Sequence, residues 1–162
     1  MPETKKGTVL IEEGALLGAM QEKNLTPLQS TARMYRAQGY ELQRIGNIDG
    51  AMALYQKAIQ LDPAYAVAYN DLGILFETKG MIDRAEESYL KAVKVDPTFL
   101  SAYTNLALVY ENKRDLERAA AYWQKRAQLG FPDDPWTQKA RQRLEDIRLV
   151  LSDRPFEDAR ET

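Results

Sequence analysis

Between residues 26 and 131, apolar residues recur at helical spacing, and the same arrangement returns every 34 residues. Tyr69, Leu72, Gly73 and Phe76 fall at i, i+3, i+4 and i+7, which places them on one face of a helix. Ala85, Tyr89 and Ala92 fall at i, i+4 and i+7 on a second helix, and Gly80 lies in the short turn between the two. A shift of 34 residues carries Pro63 onto Pro97, Tyr69 onto Tyr103, Leu72 onto Leu106 and Phe76 onto Tyr110. The reverse shift finds Tyr35, Gly39 and Leu42, then Ala51, Tyr55 and Ala58, with Gly46 in the turn. Gly73 and Ala85 are small where two helices must approach, and aromatics fill the space beside them. Each copy is a helix–turn–helix that cannot bury its apolar faces alone, so the copies must stack.

The flanks read differently. Thr26-Pro27-Leu28-Gln29 is a helix start, with an N-cap, a proline in the first turn and a glutamine three after the cap. Residues 8–23 are apolar at Leu10, Leu17 and Met20 but repeat nothing at 34, so 1–25 reads as a short helix or arm. Beyond the repeats, Trp136, Ala140, Leu144, Ile147 and Leu151 step by 4, 4, 3 and 4, an amphipathic helix over 133–152 that covers the last copy. In LGFPDDPW (129–136), Gly130 supplies a helix C-terminal signal, Asp134 an N-cap and Pro135 a first-turn residue. The adjacent aspartates therefore read as a hinge rather than a carboxylate site, and 153–162 as a loose tail.

The pattern resembles the tetratricopeptide repeat. With position 1 at Ala32, Ala66 and Leu100, the middle copy carries Tyr69, Leu72, Gly73, Phe76, Ala85, Tyr89, Ala92 and Pro97 at positions 4, 7, 8, 11, 20, 24, 27 and 32. The first copy departs with Gln38 at position 7; the third keeps Tyr103, Leu106, Tyr110 and Ala119, has Trp123 at position 24, and departs with Ala107, Arg126 and Phe131 at positions 8, 27 and 32. The resemblance implies an all-α, right-handed α-solenoid of three repeats (32–65, 66–99 and 100–131, within 26–132) closed by a capping helix.

It also implies a concave groove lined by positions 2, 5, 9, 12 and 13 of each first helix. These are Arg33, Arg36, Tyr40, Gln43 and Arg44, then Val67, Asn70, Ile74, Glu77 and Thr78, then Ser101, Thr104, Leu108, Glu111 and Asn112. Such a groove would grade from basic, through apolar and amide, to acidic. The arginines would grip an acidic partner segment near the first repeat, since guanidinium pairs bidentately with carboxylates. Asn70 and Asn105 would hold an extended peptide's backbone. The clamp with which some members of this family take the carboxylate tail of heat-shock chaperones maps onto Arg36, Tyr40, Asp71, Ser101 and Asn105. Only Arg36 and Asn105 fit, and Asp71 would repel a terminal carboxylate, so that clamp is absent.

Composition narrows the chemistry. The 162 residues contain no cysteine and no histidine, which leaves no disulfide, thiol nucleophile, imidazole base or Cys/His metal site. A net charge of −2 gives no overall pull towards nucleic acid or anionic membrane. No stretch approaches the roughly 20 apolar residues of a membrane span. Lys5-Lys6 before TVLI hints at a signal peptide, but Glu12 and Glu13 interrupt it; the compartment reads as cytoplasm or, after loss of a leader, periplasm. GNIDG (46–50) lacks the ligands of a calcium loop and suits an inter-helix turn. Glu12–Glu13 and Glu86–Glu87 diverge on a helix, and the tyrosines occupy core positions rather than a nucleic-acid platform. The expectation is a non-enzymatic adaptor without cofactor that holds a protein or peptide in its groove. The alternative is a self-associating scaffold or assembly factor working through the N-terminal arm or the outer faces.

Overall fold

The structure, a computed structural model, describes residues 24–153. The arm expected over 1–25 and the tail expected over 153–162 lie, except for their innermost residues, outside this range. Among the described residues there are seven α-helices and no strand. They are α1 (Pro27–Arg44), α2 (Ile48–Leu61), α3 (Ala66–Thr78), α4 (Ile82–Val95), α5 (Leu100–Asn112), α6 (Leu116–Leu129) and α7 (Pro135–Ser152). Consecutive helices pair α1 with α2, α3 with α4 and α5 with α6; each pair stacks on the next, and α7 closes against α6. This is an all-α repeat solenoid.

Local chemistry sets the ends of the helices. Thr26 forms a full capping box with Gln29, so α1 starts a turn before its counterparts. Asn47 caps α2 by accepting from the Gly50 amide, which gives GNIDG its role as a turn. Gly46, Gly80 and Arg114 occupy the same place in the three turns, with φ of 84°, 73° and 62°. The third turn thus forces an arginine into the left-handed region that the other two give to glycine. Relief of that strain (~1–2 kcal/mol) exceeds the added chain entropy of glycine (~0.5–1 kcal/mol). Arg114→Gly is therefore expected to stabilise the fold by about 0.5–1 kcal/mol. Urea denaturation measures this, and a variant no more stable than the parent contradicts it.

The core runs along the seam between paired helices. Tyr55, Tyr89 and Trp123, all at position 24, are fully buried. The tyrosine rings press on Gly39 and Gly73: a Cβ at Gly73 would lie 2.5 Å from Tyr89 Cε1 and one at Gly39 2.7 Å from Tyr55 Cε1. The third pair has Ala107 and an indole at the same two positions, both fully buried in the same core.

Gln38 has a similar explanation. Ala68, Leu72 and Leu75 in the second repeat, and Ala102, Leu106 and Val109 in the third, are buried. Their counterparts Met34, Gln38 and Glu41 are exposed on the leading face of the first repeat. Polar residues at two of those three places suit that face to water.

At the other end the sequence reading needs two corrections. Gly130 ends α6, but with φ −83°, a conformation any residue adopts. It is glycine for space, because a Cβ there would sit 1.9 Å from Thr137 Oγ1 and 2.2 Å from Arg126 Nη1. Trp136 does not begin the apolar stripe of α7. It is 45% exposed, and Thr137 takes the buried place, followed by Ala140 and Ile147. Arg126 explains this shift: it is buried at 3% exposure where the earlier repeats have Ala58 and Ala92. Its guanidinium donates to Thr104 Oγ1 (3.2 Å), to Thr137 Oγ1 (2.8 Å) and to the Asp134 carboxylate. Asp134 neutralises that charge, and the Thr137 hydroxyl accepts a hydrogen bond from the guanidinium that an indole, which is only a donor, could not.

Candidate functional site

The first helix of each pair, α1, α3 and α5, supplies all the predicted groove residues. Their environments differ from a simple basic-to-acidic gradient. Arg33 Nη1 donates to Asp62 Oδ2 at 2.7 Å, and Arg36 Nε to Asp71 Oδ2 at 2.7 Å. Arg44 is exposed and bridges Glu41 on its own helix. The basic end is therefore neutralised from within, by carboxylates 29 and 35 residues away in sequence. Burial lifts the Asp71 carboxyl above its ordinary value, with Arg36 opposing that shift.

The acidic end is compensated in the same way. Position 12 of each repeat accepts from the position-24 ring: Tyr55 from its hydroxyl to Gln43 (2.7 Å), Tyr89 to Glu77, and Trp123 Nε1 to Glu111. These residues face the seam as much as the groove. Burial pushes the Tyr55 hydroxyl up to about 12, and burial with the Glu77 carboxylate raises that of Tyr89, so both remain donors at neutral pH. Arg143 of α7 adds a two-pronged ion pair to Glu111. Burial alone would raise the Glu111 carboxyl, but Arg143 and Trp123 outweigh it and hold the group below its ordinary value.

What remains uncommitted lies in the middle. Asn105 Nδ2 donates to Asn70 Oδ1 at 2.8 Å, which ties α5 to α3. The remaining amide groups of the pair meet no other group of the described chain. No fully buried side-chain N or O among the described residues lacks a partner, so these amide groups keep some contact with solvent, although Asn70 is only 5% exposed and Asn105 is half-buried. They open into a cleft of about 260 Å³ whose apolar walls are Ile74, Leu100 and Trp136 and whose polar lining adds Ser101, Thr104 and Arg126. Of the other predicted residues, Tyr40 is exposed, while Val67 and Leu108 are half-buried; none of the three lines this cleft.

Leu100, Arg126 and Trp136 are the residues that sequence reasoning did not place there. Leu100 stands at position 1 and Arg126 at position 27, neither of which the resemblance assigns to the groove. Trp136 stands four residues before Ala140, a spacing that fits the apolar stripe. Its polar neighbour Thr137, set beside a buried arginine at position 27, was the signal available. Among the described residues no cluster of three acidic groups could hold a metal ion, and no helix is long and apolar enough to cross a membrane.

Family models agree with the periodicity. One described as a TPR repeat matches residues 34–80, and two described as tetratricopeptide repeats match 66–99 and 88–121, together more than half of the chain. The chain belongs to the tetratricopeptide repeat family.

Solved structures agree. The first tetratricopeptide domain of Spaghetti (RPAP3), bound to the HSP90 peptide SRMEEVD, superposes with a TM-score of 0.67 at 20% identity, over 76% of this chain and 98% of that one. The Yersinia enterocolitica type III secretion chaperone SycD, in complex with a peptide of the translocator YopD, gives a TM-score of 0.68 at 19% identity, over 75% and 95%. MamA is 33% identical with a TM-score of 0.58, over 60% of this chain and 57% of MamA. No match is found among curated proteins. At about 20% identity the first two likenesses speak for the tetratricopeptide fold alone.

Proposed function

We propose that this chain is a non-catalytic protein-interaction adaptor that holds an extended peptide segment in its concave groove, centred on the Asn70–Asn105 cleft. The observation that carries this reading is the Asn70–Asn105 amide pair at the cleft, with a donor and an acceptor that the described chain leaves unused, beside an exposed tryptophan. Two amides offer a donor and an acceptor to a peptide backbone, and Ile74, Leu100 and Trp136 offer an apolar wall to one of its side chains. Structural relatives named for their bound peptides, SRMEEVD on Spaghetti and a YopD segment on SycD, support a peptide as ligand class. The cleft presents amides, hydroxyls and an already paired guanidinium, which equip it for recognition rather than for acid–base or nucleophilic chemistry.

The internal ion pairs move the reading away from an acidic segment at the first repeat. Such a segment would meet guanidiniums whose charge Asp62 and Asp71 already neutralise, and which have only their remaining N–H groups to offer. The favoured partner segment presents its backbone and an apolar side chain.

Affinity capture from native extract, followed by titration of the captured partner, tests this. Trp136→Ala and Asn105→Ala are each expected to weaken binding by about tenfold, on the order of 1–2 kcal/mol, while the fold stays intact. Unchanged affinity in both variants would remove the groove from the account.

A further inference from the structure

A second cleft, of about 310 Å³, opens on the outer side of the solenoid between α2 and α4. Its origin is visible by superposing the repeats through their 34-residue shift. The cleft is lined by Tyr69 and Phe76 on its floor and by Arg84, Ser88 and Lys91 along α4. In the next repeat these correspond to Tyr103, Tyr110, Arg118, Tyr122 and Lys125. Arg84 lies 4.3 Å over the Phe76 ring and Arg118 lies 4.5 Å over the Tyr110 ring, so the two sites share their geometry. The difference is at position 23. There the third repeat has Tyr122, whose ring stacks on Tyr110 at 5.3 Å (6° between planes) and leans on Tyr103 at 6.4 Å. The second repeat has Ser88, which turns its hydroxyl back to the Arg84 carbonyl. The outer cleft is thus a slot shaped for an aromatic ring that its own repeat does not supply.

An aromatic ring is on offer elsewhere on the surface. Phe131, in the loop between α6 and α7, is 74% exposed and stands two residues before the exposed carboxylate Asp133. The rim of the slot carries Arg84 and Lys91 against the single acid Glu87, which Lys91 bridges. The charges are therefore complementary: an aromatic with a carboxylate beside it meets an aromatic slot with a net basic rim.

We propose that Phe131 of one molecule enters the Tyr69–Phe76 slot of a second copy of this chain. The proposal stands apart from the groove reading, since it uses the opposite face of the repeats. Donor and acceptor patches are different surfaces, so the contact is heterologous and propagates head to tail rather than closing as a symmetric dimer. One ring and one ion pair fall well below a standard interface, so association is expected only at roughly 100 µM or above.

Sedimentation velocity from about 5 µM to 1 mM on the full chain tests it with two variants. Phe131→Ala removes the donor from an exposed loop and leaves the core untouched. Ser88→Tyr fills the slot with the residue that the third repeat uses. The parent is expected to show a concentration-dependent rise in sedimentation coefficient, and each variant alone is expected to remain monomeric. An equimolar mixture of the two variants is expected to associate again but stop at dimers, because each contributes one half of the contact. A parent that stays monomeric throughout, a Phe131→Ala variant that associates like the parent, or a mixture that stays monomeric overturns the proposal. If Ser88→Tyr is misfolded by circular dichroism, the Phe131→Ala comparison decides alone.

Discussion

Replacement of Arg126 by alanine is expected to destabilise the protein by about 3 kcal/mol or more, although alanine is what the two preceding repeats carry at that place. The reason is local. Arg126 is buried and donates to Thr104, Thr137 and Asp134, so truncation opens a cavity, removes three hydrogen bonds at once and leaves Asp134 without its cation. The two hydroxyls keep only their bonds to the Leu100 carbonyl and to Asp134. The loss should be concentrated in α7, whose register depends on this guanidinium, and hydrogen exchange there should accelerate before it does in α3 or α5. Thermal unfolding of the variant measures the effect, and a melting temperature within a degree or two of the parent contradicts it. An acid dependence accompanies the same contact. Burial tends to raise the Asp134 carboxyl, but the Arg126 and Thr137 hydrogen bonds prevail and hold it below its ordinary 3.8. Because the fold keeps this carboxyl more acidic than the unfolded chain does, its contribution is present above about pH 4 and lost as pH falls further. Arg126→Ala should weaken that part of the acid sensitivity.

Gly73→Ala is expected to cost about 2–3 kcal/mol, against the usual gain from replacing a helix-interior glycine. The added Cβ would meet the Tyr89 ring at 2.5 Å, and the ring has no exit: it is fully buried and its hydroxyl is anchored on Glu77. The seam must open or the ring must leave its rotamer, and both disturb the stack on either side. Ala107, opposite Trp123, shows that a Cβ at this position is accommodated when the facing ring is an indole. The double variant Gly73→Ala with Tyr89→Trp is therefore expected to recover part of the loss. Denaturation of the single and double variants measures both terms, and a Gly73→Ala protein at least as stable as the parent would contradict the seam geometry.

The fold was legible because its determinants are periodic. A glycine facing an aromatic, a proline before the next helix and a small turn residue each recur at 34, and each recurrence reports the same packing contact. The departures were legible as departures but not as contacts. Gln38 marks a face turned to water, and the pairing of Ala107 with Trp123 is one exchange across the seam rather than two separate irregularities. Arg126 would have been counted as a surface charge on any sequence scale. It is buried because Thr104, Thr137 and Asp134 converge on it from three different segments, and no single helix period encodes that convergence.

The groove was half legible. Its positions follow from the repeat, so the residue pattern already places Asn70, Ile74, Thr104 and Asn105 on the inner helices, where they line the cleft. Its charge was not legible, because the partners of Arg33, Arg36 and Glu111 lie 29, 35 and 32 residues away on other segments; Arg36–Asp71 returns as Asn70–Asn105 at the same 35-residue step, but with amides in place of charges. A linear reading sees the arginines and misses that Asp62 and Asp71 already balance their charge. Trp136 was missed for the opposite reason: its spacing fits a buried stripe, and only the buried arginine behind it turns it outward.

That tryptophan also offers the most direct test of groove recognition. The chain has two tryptophans, Trp123 fully buried in the seam and Trp136 exposed at the cleft. With 5-fluorotryptophan incorporated, fluorine NMR resolves one resonance for each during titration with the captured partner. The groove account predicts that the Trp136 resonance moves in step with binding while the Trp123 resonance moves little. Saturating binding that leaves the Trp136 resonance in place would contradict it.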